Sequence, residues 1–134
     1  MMRRKFLTLA VACLPILAAA SGMLVVNQWS QQFPGGAYTW DGATTFAANL
    51  VEGGFSDWRL ATRAEWQTAI TNGTVGSLQP NLGPGNYFWT ADHQGTRAWM
   101  VEIVTDPNGN VIAAQSGATK RVLKGSATYA VAVR

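Results

Sequence analysis

Ala43, Phe46, Ala47 and Leu50 recur three or four positions apart, which predicts one apolar stripe on a helix starting near Trp40. Gly53-Gly54 follows, as expected of a left-handed exit after a last helical turn. Thr62-Arg63-Ala64-Glu65 has the form of a capping box, with the Thr hydroxyl and the Glu carboxylate each taking an orphan backbone N–H. Trp66, Ala69 and Ile70 then give the buried face of a second helix, closed by Asn72-Gly73. Residues 73–86 are rich in glycine and proline and uncharged, so they predict a long loop. Beyond it the period falls to two. "YFWTA" (87–91) reads as a strand, and "RAWMVEIV" (97–104) alternates Trp99, Val101 and Ile103 on one face. Asp106-Pro107-Asn108-Gly109 predicts a turn from which "NVIAAQ" (110–115) returns as a strand. The last strand, "ATYAVAVR" (127–134), sets Tyr129, Val131 and Val133 on one side. Two helices followed by an antiparallel meander make an α+β domain, and no internal repeat appears.

The N-terminus alters the charge picture. Arg3, Arg4 and Lys5, an apolar run over 6–17 and Ala18-Ala19-Ala20 have the order of a signal peptide, so residues 1–20 are expected to be removed and 21–134 to form one domain. Two alternatives stay open. Cys13 after Ala10-Val11-Ala12 has features of a lipoprotein box, and the mostly apolar residues 6–26 are long enough to serve as a retained anchor. The formal charge of +3 comes from ten Lys/Arg against seven Asp/Glu, and three of those ten lie at positions 3–5. Residues 21–134 are therefore balanced, and no nucleic-acid partner is implied. The single cysteine lies in the leader, so the domain is expected to rely on packing, with six tryptophans to supply it. Export to the periplasm, cell surface or medium follows from the leader, with membrane contact only if that segment is retained.

Within "GGFSDWRLAT" (53–62) nearly every residue has a structural task. The glycines permit a left-handed turn, while Ser56 and Asp57 suit backbone N–H groups. Trp58 and Leu60 anchor the segment, and Arg59 between them is placed to bridge carbonyls.

Residues 38–62, "YTWDGATTFAANLVEGGFSDWRLAT", resemble without gaps the central motif of the Lcl C-terminal domain-like family. "YFWTAD", "RAWMVEIV" and "YAVAVR" look like its later strands. The resemblance implies a C-type-lectin-like fold whose first and last strands pair. It also implies an exported bacterial or phage-associated protein, and the best-known relative is a collagen-like adhesin that binds sulfated polysaccharides. On this reading Trp40, Asp57, Trp58, Arg59, Thr62, Glu65 and Trp99 belong to the scaffold motif. Ala61 and Val131 depart from the family's usual Pro and Arg, and Ala47 and Ala132 stand where many members carry cysteines. Loss of both partners together implies that this helix and strand still pack closely, without a bridge. The N-terminal strand is short, so its edge is expected to be poorly covered or supplied by another chain.

"RLATRAEW" is also similar to a signature of formylglycine-generating enzymes, which hold copper through cysteine thiols. Residues 21–134 have no cysteine, and His93 is the only histidine, without metal-ligand spacing beside Asp92 and Gln94. Gln79-Pro80-Asn81 is similar to a calcium-dependent sugar loop, but residues 73–91 hold no carboxylate to complete an oxygen shell. No enzyme, metal or cofactor is expected. The candidate ligand contacts are Tyr87 and Trp89, which either stack on a sugar or fill the core, with Trp99 open to the same two readings. Lys120, Arg121 and Lys124, joined by Arg134, form either a patch for a polyanion or protection for a strand edge. The expected function is an exported, non-catalytic module for glycans or sulfated polysaccharides. The alternative is a pilus-, phage- or envelope-associated subunit working through contacts with another envelope protein.

Overall fold

A computed structural model describes residues 27–31 and 36–134, and the leader, lipoprotein and anchor readings of the N-terminus lie outside these residues. Helix α1 spans Trp40–Asn49, strand β1 Arg59–Leu60, helix α2 Arg63–Asn72, strand β2 Tyr87–Gln94 and strand β3 Arg97–Glu102. A 3-10 turn, Ala113–Gln115, precedes strands β4 (Thr119–Leu123) and β5 (Ala132–Val133). The fold is α+β, with β2-β3-β4 an antiparallel sheet and β1-β5 a second, two-stranded one. Among the described residues no helix is long and apolar enough to cross a membrane.

α1 begins where the Thr39 hydroxyl accepts from Gly42 N–H, and its Ala43 and Ala47 face is buried as the stripe predicts. Its end differs from the expectation. The helix closes at extended Leu50, and Gly53-Gly54 instead turn a hairpin whose Glu52 and Phe55 exchange backbone hydrogen bonds at 3.1 and 3.0 Å. Both glycines have positive φ, 64° and 83°, the pair that a two-residue hairpin turn requires. α2 follows the sequence closely. Thr62 and Glu65 complete the capping box, Trp66, Ala69 and Ile70 are buried, and left-handed Gly73 ends the helix.

In β3, alternate side chains enter two separate cores. Val101 packs with Trp66, Ile70 and Phe88 on the α2 side, whereas Ala98 and Met100 pack with Ala43, Ala47 and Trp89 on the α1 side. Simple alternation expects one wet face, but each face of this sheet carries a helix. After the Asp106–Gly109 turn, "NVIAAQ" does not return as a strand. Only a single bridge, Thr105 to Val111, forms before the 3-10 turn. Ala113, Ala114 and Gln115 are exposed and have nothing to pack against, so pairing resumes only at Thr119.

β5 lies between two neighbours. Arg59 and Leu60 pair with Val133 and Ala132 on one side. On the other, Gln28 and Arg134 exchange backbone bonds at 3.0 Å each, and Ser30 N–H donates to Ala132 at 2.8 Å. The first described segment thus pairs with the last, and the final strand has both edges covered. Tyr129, Val131 and Val133 share the α2-side core, as the sequence predicts.

Candidate functional site

An open cleft of about 670 Å³ lies where α1, β1, the start of α2 and β2 converge. Trp40, Thr44 and Ala48 come from successive turns of α1, and Trp58, Arg59 and Leu60 from the chain entering β1. Thr62 and Glu65 contribute from the cap of α2, and Ala91 and His93 from β2. The volume is that of a small-ligand site.

One wall is an ion pair. Arg59 grips Glu65 through Nη1 and Nη2, both at 2.7 Å. Glu65 also accepts from the Thr62 backbone N–H and Asn27 Nδ2, each at 2.9 Å, so four donors meet one carboxylate. The Arg59 bonds above all pull the Glu65 pKa down to about 2, against a partial burial that opposes the shift. Arg59 is correspondingly raised by the same pairing.

Another part of the lining is aromatic. The Trp40 indole lies 4.5 Å from the His93 ring, centroid to centroid, and its Nε1–H donates to the Thr90 carbonyl at 3.0 Å. Lys124 Nζ sits 4.4 Å above Trp40 and 3.0 Å from His93 Nδ1. An ammonium has only donors, so Nδ1 accepts and the ring proton is on Nε2. Trp58 is buried beneath, with Nε1–H bonded to the Phe55 carbonyl at 3.1 Å.

The expected ligand contacts disperse. Trp89 is fully buried and its Nε1–H is spent on the Tyr38 carbonyl at 2.7 Å, so its place in the ligand set is corrected to core. Half-buried Tyr87 has Lys120 Nζ 4.2 Å above its ring. Lys120, Arg121 and Lys124 are not one patch, because successive residues of β4 point to opposite faces. Lys120 and Lys124 lie on the α1 side, at Tyr87 and Trp40. Arg121 pairs across from Trp99 on the α2 side and donates to Gln94 at 3.2 Å. There Arg63, paired with Asp92 at 2.7 Å, lies 3.9 Å over the half-buried Trp99 ring. Arg134 does not join the cations either. It is bound to Asp57 at 2.6 and 3.2 Å, and its guanidinium lies 3.4 Å from the Phe55 ring centre. Asp57, expected to serve backbone N–H groups, takes this ion pair instead.

Trp40, Trp58, Arg59, Thr62 and Glu65, read from the sequence as scaffold, are also the cleft's walls. His93, read as incidental, joins them. The only local signal was Arg59 standing just ahead of a capping-box Glu, which brings a guanidinium to the helix start. Among the described residues no group of three or more His, Cys, Asp or Glu is placed to hold a metal ion. Comparison with protein-family models and with curated proteins gave no match.

Proposed function

We propose that this chain is a non-catalytic carbohydrate-binding module that works outside the cytoplasm, with the cleft between α1 and the β1–α2 junction as its binding site. The observation that carries the reading is that one cleft of about 670 Å³ is lined both by the Trp40–His93 aromatic pair and by the Arg59–Glu65 ion pair. A sugar ring has an apolar C–H face that packs on an indole and a rim of oxygens that needs fixed polar groups. The motif over residues 38–62, with its resemblance to the C-type-lectin-like Lcl C-terminal domain-like family, and the leader pattern over 1–20 point the same way.

A glycan array followed by fluorescence titration of its hits tests the reading. Ala48 is exposed on α1 and lines the cleft, so Ala48→Trp should fill the site and leave both cores untouched. Binding should fall at least about tenfold while the thermal midpoint stays within a few degrees. A glycan bound equally well by this variant places the site elsewhere.

The second reading, an assembly subunit, draws on a different feature. β4 is an edge of its sheet and Leu123 is 52% exposed on it. Lys120 and Arg121 on the same strand discourage strand pairing there, so this edge supports the second reading less than the cleft supports the first.

A further inference from the structure

The hydrogen-bonding capacity left in the cleft is one-sided. Glu65 already accepts from four donors. The Trp40 indole N–H is bound to Thr90, and the Thr62 hydroxyl oxygen accepts from Glu65 N–H at 3.1 Å. What remains unspent is mostly donors. His93 carries its proton on Nε2, since Nδ1 faces Lys124. Arg59 holds Glu65 end-on through Nη1 and Nη2 and gives a further Nη1 hydrogen to the Leu60 carbonyl at 3.2 Å. Its Nε–H and second Nη2–H therefore have no partner among the described residues. These two hydrogens are parallel and adjacent on the free side of the guanidinium, the spacing that fits both oxygens of a carboxylate. Glu65 does not repel an incoming anion strongly, because Arg59 neutralises it, and Lys124 beside Trp40 and His93 leaves the rim with a positive excess.

We propose that the sugar taken into the cleft is an acidic one, whose ring carboxylate is clasped bidentately by the Nε and Nη2 edge of Arg59 while its C–H face lies on Trp40. The proposal rests on the carbohydrate reading above and names the class of sugar. A neutral hexose would leave the guanidinium edge to water, and a cationic amino sugar would meet the like charges of Arg59 and Lys124. His93 Nε2–H supplies a second donor for a ring hydroxyl or the glycosidic oxygen.

The test compares tetragalacturonate with its fully methyl-esterified form, which keeps ring size and stereochemistry and removes the charge. Binding to the full chain is followed by the indole N–H signals of the tryptophans and by calorimetry. The acid form should shift the Trp40 signal and bind at least about tenfold tighter than the ester, the gain expected of a charge-assisted bidentate contact. Arg59→Lys keeps one bond to Glu65 and loses the second edge, so it should bring the ratio of acid to ester affinity close to one. Equal affinities for acid and ester overturn the proposal, as does full acid affinity in Arg59→Lys. If neither form binds but a neutral glycan shifts Trp40, the acidic class is wrong and the carbohydrate reading survives. If no glycan on the array moves that signal, both fail.

Discussion

Trp58 is buried to 3% exposure between α1 and β1, and its indole N–H is bonded to the Phe55 carbonyl. Trp58→Ala should therefore cost about 3–5 kcal/mol in urea denaturation, because a cavity replaces a large buried ring. A variant of unchanged stability would remove this residue from the scaffold. Glu65 makes a different contribution, one that depends on pH. Its folded-state pKa of about 2 lies below the value of 4.5 that a free glutamate has. The unfolded chain thus binds the proton more readily, and the stabilisation is complete above pH 4.5 and lost as pH falls towards 2. Denaturation midpoints measured from pH 6 down to pH 2 should fall in wild type, and this part of the decline should vanish in Glu65→Gln. Parallel curves for the two proteins would mean that other carboxylates dominate the acid limb. Both residues also line the cleft, so their variants report on stability first. That is why the separate Ala48→Trp substitution is the cleaner probe of binding.

Two glycines with the same backbone sign separate the cost of conformation from the cost of crowding. Gly54, at φ 83°, has open space where a side chain would grow, whereas a Cβ on Gly109 would stand 2.2 Å from the Leu78 carbonyl oxygen. Gly54→Ala should cost about 1–2 kcal/mol, the strain of a left-handed alanine. Gly109→Ala, also at φ 83°, should cost clearly more, because the Asp106–Gly109 turn must also separate from the Leu78 loop. Equal losses in a melting experiment would show that the loop yields freely. A second prediction joins two elements. Ala47 on α1 and Ala132 on β5 are both buried in the core that also holds Trp58 and Trp89. Ala47→Cys with Ala132→Cys should oxidise in air to a bridge that adds about 2–4 kcal/mol, and free thiols under oxidising conditions would count against close helix–strand packing here. These elements also mark how far the sequence was readable. The capping box of α2 and the turn at Asp106 are local, so residue type alone settles them. The Gly53-Gly54 turn was half legible: the sign of φ was evident, but the three residues separating it from α1 were not. "NVIAAQ" had the composition of a strand and lacked a neighbour, which is long-range information. The cleft was hidden for the same reason, since Trp40, Arg59 and His93 meet only through tertiary packing.

Across the whole molecule the described residues carry seven Lys/Arg and seven Asp/Glu, so attraction of a polyanion depends on local placement rather than net charge. Pleating divides the C-terminal cations between two faces. Lys120 and Lys124 share the α1 side, but Lys124 lies just past the end of β4, which is three strand residues or roughly 10 Å beyond Lys120. Arg97 and Arg121 share the α2 side on neighbouring strands, because Arg97 pairs with Leu123 and Trp99 with Arg121. Such diagonal neighbours are about 7–8 Å apart. The screening length at physiological ionic strength is about 8 Å, so a sulfate-rich stretch laid on the α2 side would meet both arginines at once, whereas one on the α1 side would meet the lysines nearly singly. Arg63, which lies over Trp99, adds little because Asp92 holds it. Arg97→Ala with Arg121→Ala should abolish most of the protein's retention on heparin. Lys120→Ala with Lys124→Ala should then change it modestly. Neither pair should move the thermal midpoint far, since exposed charges contribute about 0–1 kcal/mol each. Elution from a heparin column over a salt gradient, followed for both double variants, decides between the faces. A larger loss from the lysine pair would show that the polyanion lies along the α1 side, across Trp40 and the rim of the cleft.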